Sequence, residues 1–366
     1  MKPRILIIGG TGILGQKLIS FCFKNKIEIS AITGFQNKKK LNLLKQKYKI
    51  NKTFLLNDNL EKNNFINYLN KNKFNIIYFL DYGSNSLIYA KYIIKNNINS
   101  YLAIANKEMI IAGGDFFIKQ VYISKNIIVP LDSEHFSLFK LILKNKDIDK
   151  LYITASGGPF YFKKFINLNK VTFNQVVSHP KWKMGINNSI DSSNFINKLF
   201  EIYELSILYG IDISKINFLV SSEAYVHSLI VYNDTTVSLN CFNNDMITTL
   251  INPLFNFYDL KIKNNSKKYL NENNFKLEVF NDKRFKIYNN LNVLKSLSHN
   301  QQINFILLNN IAHKIYLDNK LNYNDIYNFI ILNLLKDNKV VLLNSFKKIL
   351  DYIKLKNYEY NKKLPN

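Results

Sequence analysis

The sequence is poor in cysteine and has no long apolar run. Its two cysteines, Cys22 and Cys241, lie far apart and match no metal-ligand spacing. This excludes a disulfide scaffold and favours a reducing compartment. No run of about 18 or more apolar residues is free of charge or asparagine, so no transmembrane helix is expected. The apolar run that begins at Ile5 leads into a glycine turn, which predicts a first strand and not a targeting segment.

Arginine is also scarce, although the chain is strongly basic. The 366 residues carry 50 basic and 26 acidic residues, a net charge of +24, yet Arg4 and Arg284 are the only arginines. Residue types with AT-rich codons, such as asparagine, isoleucine and lysine, are abundant. A nucleic-acid-binding protein usually favours arginine for bidentate contacts. Compositional bias therefore explains the charge better than nucleic-acid binding, which stays open as an alternative. The hydrophobic content of 47% excludes a disordered chain.

Short β-branched runs alternate with amphipathic helical patterns over residues 1–131. This alternation predicts an α/β fold with a parallel sheet covered by helices on both faces. The expected strands are Arg4–Ile8, Glu28–Thr33, Asn75–Leu80, Tyr101–Ile104 and Ile127–Leu131, and the helices between them include Gly15–Lys24 and Leu87–Asn96.

Three further regions are expected after residue 131. Residues 132–259 mix strands and helices, 260–290 form a connecting segment rich in asparagine and lysine, and 291–366 form a small helical domain. The elements expected there are strands at Leu151–Thr154, Asn217–Val220 and Val237–Cys241, and helices at Ser192–Tyr209, Ile303–Leu317, Asn324–Leu335 and Phe346–Leu355.

Glycines cluster in one turn directly after the first strand. The segment Gly9-Gly10-Thr11-Gly12-Ile13-Leu14-Gly15 opens a helix. Small residues in such a turn let the backbone approach a pyrophosphate at the helix N-terminus. A tight turn without a ligand is the alternative. After the second strand, Lys38, Lys39 and Lys40 stand where an NAD-binding domain would have a carboxylate. They favour NADP over NAD, with a solvated lysine run as the alternative.

Three carboxylates suggest a metal site. Asp132 and Glu134 follow a buried-looking strand, and their spacing in an extended chain would direct both to one side. Asn197, Lys198 and Glu201 share one face of the long predicted helix. Three carboxylates brought together would bind Mg²⁺ or Mn²⁺. Spacing alone does not show that Glu201 meets Asp132, so a solvated helix carboxylate is the alternative.

A second group of residues suits an anion. Ser156-Gly157-Gly158 follows a strand and can present a hydroxyl and amides. Ser192 stands at the start of the long predicted helix, where it would cap the helix or contact a phosphate. His179 and Trp182 lie in a stretch with little periodicity that ends at Met184-Gly185. This stretch suits a lid over an active centre, although a core tryptophan is the alternative.

Taken together, these residues resemble the 1-deoxy-D-xylulose 5-phosphate reductoisomerase family of the non-mevalonate isoprenoid pathway. The resemblance covers most of the chain and is strongest from Leu102 to Tyr203. It rests on blocks in the family's order: Gly9–Gly15, Ala105-Asn106-Lys107-Glu108, Asp132-Ser133-Glu134-His135, Ser156-Gly157-Gly158-Pro159-Phe160, and His179–Gly185 running on to Asp191-Ser192, Asn197-Lys198 and Glu201.

The resemblance implies a role for each matching residue. The implied metal ligands are Asp132, Glu134 and Glu201. The implied substrate contacts and catalytic residues are Lys107, Ser133, Ser156, His179, Trp182, Ser192, Asn197 and Lys198. The implied NADPH contacts are Thr11, Gly12, Ile13, Leu14, Asn37, Asn106, Glu108, Met184, Gly185 and Met246.

The resemblance also implies a reaction and an organisation. A metal-assisted skeletal rearrangement and hydride transfer from NADPH would convert 1-deoxy-D-xylulose 5-phosphate to 2-C-methyl-D-erythritol 4-phosphate. A Rossmann-like NADPH-binding domain (1–131) would precede an α+β catalytic domain with a mobile loop (132–259), a connecting segment (260–290) and a helical domain (291–366). A cytoplasmic homodimer without membrane or nucleic-acid partners is expected.

Four segments depart from the family's pattern. They are Phe35-Gln36, Ile186-Asn187, Ser221–Glu223 and Leu308–Asn310. In addition, a glycine- and alanine-rich turn expected after Leu80 is not legible in the sequence Asp81–Ser86. The departures bear on cofactor binding and turnover, and those at Ile186-Asn187 and Ser221–Glu223 leave a related NADP-dependent sugar-phosphate oxidoreductase with a shifted substrate as an alternative.

Overall fold

The computed structural model describes residues 2–142, 147–182, 184–260, 276–337 and 339–362. Six parallel strands form the first sheet, in the order β3-β2-β1-β4-β5-β6. The strands are β1 (Ile5–Ile8), β2 (Ala31–Gly34), β3 (Lys52–Leu55), β4 (Ile76–Phe79), β5 (Tyr101–Ile104) and β6 (Ile127–Pro130). The helices between them are α1 (Ile13–Lys24), α2 (Lys38–Lys47), α3 (Asn59–Lys71), α4 (Leu87–Asn96) and α5 (Lys107–Ile123).

Both faces of this sheet are buried. Successive side chains of a strand point to opposite faces, and β1 therefore contributes to two separate cores. Leu6 and Ile8 belong to one apolar cluster, whereas Ile5 and Ile7 belong to the other. Helices cover both clusters, as expected for a parallel sheet of continuous apolar strands.

The second sheet is mixed. Its order is β10-β9-β7-β8-β11, with β7 and β8 parallel and the other pairs antiparallel. Its strands are β7 (Ile148–Ala155), β8 (Ile216–Val220), β9 (Val226–Tyr232), β10 (Val237–Cys241) and β11 (Glu278–Val279). The helices of this part of the chain are α6 (Ser133–Leu141), α7 (Phe173–Val177), α8 (Ile186–Ser193), α9 (Ile196–Tyr209) and α10 (Ile247–Leu250).

Helices dominate the described C-terminal residues and hold the two sheet regions together. They are α11 (Lys286–Lys295), α12 (His299–Leu317), α13 (Ile326–Leu334) and α14 (Phe346–Lys362). Helix α12 packs on α5 and α8, α11 packs on α9, and α14 packs on α4 and α5. Among the described residues, no helix combines the length and apolarity that a membrane span requires.

The predicted α/β fold class is confirmed, while several elements differ from expectation. The first strand, β4, β5 and β6 lie within one residue of their predicted limits, but β2 begins at Ala31 and not at Glu28. Three strands, β3, β9 and β11, were not predicted. Residues 261–275, most of the predicted connecting segment, lie outside the described residues, and α11 crosses residue 290.

The prediction of one long helix over Ser192–Tyr209 was wrong. The chain forms α8 and α9, separated at Asn194 and Phe195. Phe195 has a φ of 66°, in the left-handed region that interrupts a helix. Its ring lies 4.5 Å from the Phe280 ring and 4.8 Å from the Phe285 ring, centre to centre. Burial of this aromatic side chain therefore outweighs continuation of the helix.

Candidate active site

The glycine turn lies at the carboxyl edge of the parallel sheet, where the strand order reverses between β1 and β4. Ligands bind at this position in open α/β sheets. Gly12 is the N-cap of α1 and has no side chain to cap it, which leaves the first amides, including those of Ile13 and Leu14, without intrahelical partners. A Cβ at Gly15 would lie 2.5 Å from the carbonyl oxygen of Gly9, so only glycine allows this close packing. The turn thus fits a pyrophosphate.

The segment after β2 offers a second anion position. Asn37 is the N-cap of α2, and its side chain accepts a hydrogen bond from the Lys40 amide at 2.9 Å. Lys38 and Lys39 are exposed in the first turn of the same helix. A phosphate group at this helix N-terminus would meet positive charge from both the lysines and the helix dipole.

The three predicted carboxylates converge. One carboxylate oxygen each from Asp132, Glu134 and Glu201 lies within 4.8 Å of the other two. The expectation of an extended chain at Asp132–Glu134 was wrong, because Asp132 is the N-cap of α6 and Glu134 lies in its first turn. Glu201 reaches them from α9 and is 1% exposed. This donor set of three carboxylates fits a hard divalent cation.

Two lysines interleave with these carboxylates. Lys107 Nζ lies 2.8 Å from Asp132 Oδ2 and 3.2 Å from Glu201 Oε1. Lys198 Nζ lies 2.5 Å from Glu201 Oε2 and 3.3 Å from Glu134 Oε1. Burial opposes ionisation of Asp132, but Lys107 holds its pKa well below the usual value. Burial raises the pKa of Glu201. Three carboxylates against two ammonium groups leave a negative charge that a cation would offset.

Asn197 and Ser133, two of the predicted substrate contacts, form hydrogen bonds with the carboxylates. Asn197 donates to Glu201 Oε1 from its amide nitrogen and accepts from Lys107 Nζ at 2.8 Å. Ser133 Oγ donates to Glu134 Oε2 at 2.7 Å. These contacts fix the orientation of the carboxylates before any ligand binds.

His135 and Glu204 form a buried pair next to Asp132, and neither residue was predicted as part of the site. His135 Nδ1 is 3.7 Å from Asp132 Oδ1, and its Nε2 is 3.3 Å from Glu204 Oε2. Burial alone would lower the pKa of His135, but the Glu204 and Asp132 carboxylates raise it to about 9. Burial in turn raises the pKa of Glu204 to about 7. The available signal was the position of Glu204 one helical turn after Glu201.

The predicted anion group forms around the turn after β7. Ser156 Oγ lies 3.1 Å from His179 Nε2, and His179 Nδ1 accepts from the Trp182 amide at 2.9 Å. Burial and the charge of Lys198 lower the pKa of His179 to about 4, so the ring is neutral at pH 7. With Nδ1 accepting, the proton lies on Nε2 and faces Ser156.

Ser192 lies beside this turn, but not at a helix start as predicted. It is in the last turn of α8, because the predicted long helix is interrupted at Asn194 and Phe195. Gly158 has a φ of 59°, and a Cβ there would lie 2.9 Å from the Ser192 carbonyl oxygen. The close approach of these two backbones brings Ser156 and Ser192 onto adjoining segments.

The segment predicted as a lid connects α7 to α8. Trp182 and Met184 are half-buried, and Gly185 is the exposed N-cap of α8. Met246 is the N-cap of α10, on a turn that is joined to α1 by the Lys17–Asp245 ion pair. The methionine therefore lies on a segment anchored to the helix that follows the glycine turn.

Asn106 and Glu108 lie where β5 leads into α5. Asn106 accepts from the Met109 amide at 3.0 Å and donates to the Gly83 carbonyl at 2.9 Å. Gly83 has a φ of 84°, which identifies the turn that was not legible in Asp81–Ser86. Glu108 is buried, and burial raises its pKa to about 7.

Two of the four segments that depart from the family's pattern make side-chain hydrogen bonds within the chain. Asn309 Nδ2 donates to Asp191 Oδ1 at 2.9 Å, and Asn310 Oδ1 accepts from the Tyr82 hydroxyl at 2.8 Å. Glu223 accepts from the Ser222 hydroxyl at 2.6 Å. Phe35 and Ile186 are exposed.

Two family models match separate parts of the chain, and the curated relatives share one description. A family model described as the 1-deoxy-D-xylulose 5-phosphate reductoisomerase C-terminal domain matches residues 128–209, and one described as the NAD dependent epimerase/dehydratase family matches residues 5–107. The 1-deoxy-D-xylulose 5-phosphate reductoisomerase of Pelagibacter ubique is 30% identical over 384 aligned residues, covering 96% of this chain and 98% of its own. That of Wigglesworthia glossinidia brevipalpis is 32% identical over 329 residues, covering 84% and 79%.

Solved structures share the whole fold. A crystal structure of DOX-P reductoisomerase in complex with NADPH, fosmidomycin and magnesium has a TM-score of 0.86 at 22% identity, with 98% of each chain covered. The 1-deoxy-D-xylulose 5-phosphate reductoisomerase of Zymomonas mobilis in complex with NADPH has a TM-score of 0.81 at 20% identity, again with 98% of each chain covered.

Proposed function

This chain belongs to the 1-deoxy-D-xylulose 5-phosphate reductoisomerase family, and from that premise we propose that it converts 1-deoxy-D-xylulose 5-phosphate to 2-C-methyl-D-erythritol 4-phosphate, using NADPH and Mg²⁺ or Mn²⁺. The observation that carries the proposal is the convergence of Asp132, Glu134 and Glu201 within 4.8 Å. A structural role would not require three carboxylates at one point, since their mutual repulsion is costly when buried.

The carboxylates would hold the cation, and the crevice at the glycine turn would hold the cofactor. A divalent cation there supplies Lewis acidity toward the ketone and hydroxyl oxygens of the substrate, and NADPH supplies the hydride. Asn37, Asn106, Glu108, Met184, Gly185 and Met246 would contact the cofactor together with Thr11, Gly12, Ile13 and Leu14 of the turn.

The lysines would change partners when the ligands bind. Lys107 and Lys198 each contact two carboxylates. A cation bound to those carboxylates would leave the two ammonium groups available to anionic substrate oxygens. Lys107 and Ser133 would then orient the substrate hydroxyls. Asn197 forms hydrogen bonds with both Lys107 and Glu201 and would hold these two side chains in position.

The phosphate of the substrate would bind between Ser156, His179, Ser192 and Lys198. Neutral His179 would donate from Nε2, the atom that faces Ser156, and Lys198 would contribute the charge. Binding a phosphate away from the reacting carbons supplies orientation energy for the chemical step. Closure of the segment that holds Trp182 and Met184 would exclude water.

The proposed domain limits are 1–131, 132–259, 260–290 and 291–366. The first limit has support in the end of β6 at Pro130 and the start of α6 at Ser133. We also propose a cytoplasmic homodimer. Unpaired Cys22 and Cys241 suit a reducing compartment. The outer strand β10 exposes Val237 and Leu239, which a second copy would cover. Light scattering after size exclusion would measure the mass.

The test combines turnover with metal binding. NADPH oxidation, followed by its absorbance, should require both 1-deoxy-D-xylulose 5-phosphate and Mn²⁺ or Mg²⁺. Glu201→Gln should lower turnover at least about a hundredfold, because even indirect metal contacts contribute 10- to 100-fold. The same variant should weaken Mn²⁺ binding measured by electron paramagnetic resonance.

A matched control exists on α14. Glu359 pairs with Lys356 at the same i, i+3 spacing as Glu201 with Lys198, so Glu359→Gln should change neither measurement. Unchanged Mn²⁺ binding in Glu201→Gln would refute the metal assignment. Activity with another phosphorylated sugar alone would favour a shifted substrate. Salt-dependent nucleic-acid binding without reductase activity would favour a non-catalytic role.

A further inference from the structure

Arg284 is one of two arginines among the 50 basic residues of the chain, and its guanidinium group donates hydrogen bonds to three other residues. It lies between β11 and α11. Its Nη1 donates to the Lys163 carbonyl at 2.7 Å, and its Nη2 donates to the Tyr161 carbonyl at 3.0 Å. Nε and Nη2 also donate to the two carboxylate oxygens of Asp282, at 3.0 and 2.6 Å. All three guanidinium nitrogens are therefore engaged.

The carbonyls that Arg284 binds belong to the segment that follows the Ser156–Gly158 turn. The Tyr161 amide donates back to the Gly157 carbonyl at 3.2 Å, and the Lys163 amide donates to the Phe160 carbonyl at 3.0 Å. The turn is thus one compact unit. At its start, the Ala155 carbonyl accepts from the Ser221 amide at 2.8 Å in the second sheet. Arg284 anchors the other end, across 121 to 123 residues of sequence.

The contact geometry suits arginine and not lysine. A planar guanidinium reaches two carbonyls and a carboxylate at once, whereas an ammonium is a point charge on a flexible stem. Asp282 orients the fork by a bidentate pair, and the Phe285 ring lies 5.7 Å from the guanidinium carbon. A lysine at 284 would satisfy one carbonyl and leave the other dependent on water.

We propose that Arg284 is a positioning residue for the phosphate subsite: through the Tyr161 and Lys163 carbonyls it holds the Ser156–Gly158 turn against Ser192. The inference rests on the proposed function, because it takes this turn as the place where the substrate phosphate binds. Arg284 does not itself contact the phosphate in this proposal.

The test is Arg284→Lys, with Arg4→Lys as the matched control. Arg4 is the other arginine; it precedes β1 in the first sheet and donates to the Asn72 side chain. In Arg284→Lys, the KM for the sugar phosphate should rise about tenfold, close to the net contribution of one charge-assisted hydrogen bond. The kcat, the KM for NADPH and the Mn²⁺ affinity should stay within about twofold. Arg4→Lys should leave all four values unchanged.

Binding of inorganic phosphate, measured by calorimetry, separates this inference from the proposed function. If the protein lacks reductoisomerase activity but binds phosphate about tenfold more weakly as Arg284→Lys, the positioning role stands while the activity fails. A lower kcat or stability with an unchanged KM and unchanged phosphate affinity would overturn the proposal. If Arg284→Lys does not fold, Asp282→Asn is the second variant. This substitution weakens the pairing that orients the Arg284 guanidinium group. It should raise the KM for the sugar phosphate about threefold, and no rise would overturn the proposal.

Discussion

A substitution of Gly158 by alanine tests whether the phosphate turn depends on its close contact with Ser192. Gly158 has a φ of 59° and Gly210 has a φ of 63°, so alanine meets similar backbone strain at both positions. That strain costs about 1–2 kcal/mol and is reduced by about 0.4–1 kcal/mol through the unfolded state. The surroundings differ, because a Cβ at Gly210 would have no atom within 4 Å, whereas one at Gly158 would lie 2.9 Å from the Ser192 carbonyl oxygen.

The expected loss of stability follows from this difference. Gly210→Ala should lower the free energy of unfolding by about 1 kcal/mol, the net backbone strain alone. Gly158→Ala should lower it by about 2–4 kcal/mol, because overpacking against backbone adds about 1–3 kcal/mol. Urea denaturation followed by circular dichroism measures both values.

The functional effect should separate the two variants more clearly. The Gly158 turn must move away from Ser192 to make room for the methyl group, and a displacement near 1 Å can cost about a hundredfold. We expect the KM for the sugar phosphate to rise at least about tenfold in Gly158→Ala and to stay unchanged in Gly210→Ala. Equal stability losses and equal KM values in the two variants would refute the reasoning.

Three further predictions concern the cofactor turn, the pair behind the carboxylates and a buried acid. Gly15→Ala should raise the KM for NADPH at least about tenfold by displacing the turn from α1, with phosphate affinity unchanged; an unchanged KM would show that the turn does not hold the cofactor. Glu204→Gln removes the charged partner of His135 and should weaken Mn²⁺ binding about tenfold, as measured by electron paramagnetic resonance; unaltered affinity would exclude a positioning role for Glu204. Burial raises the pKa of Glu108 from 4.5 to about 7, so its contribution to stability is complete below pH 4.5 and is lost as the pH rises through 7. Glu108→Gln should therefore stabilise the protein by about 3 kcal/mol at pH 8 but by less than about 1 kcal/mol at pH 5, and a pH-independent difference would contradict this.

The fold was largely predictable because continuous apolar strands and amphipathic helices carry strong periodic signals. Because the first sheet is buried on both faces, β1 and β4 are continuous runs of buried hydrophobic residues, and such runs can be recognised in the sequence. The edge strand β3 was missed because Lys52 is exposed and Thr53 and Leu55 are only half-buried, which weakens the hydrophobic pattern at a sheet edge. The break before α9 was missed because it depends on where the Phe195 ring is buried.

Local spacing and family resemblance predicted most members of the candidate site, whereas tertiary packing sets which of them lie in contact. Helical periodicity places Asn197, Lys198 and Glu201 on one face because those residues are neighbours on a single element. The contact between Glu201 and Asp132 joins α9 to the start of α6, and packing of separate elements sets that distance. The roles of Glu204 and Arg284 likewise depend on partners distant in sequence, which local patterns of spacing and propensity do not encode.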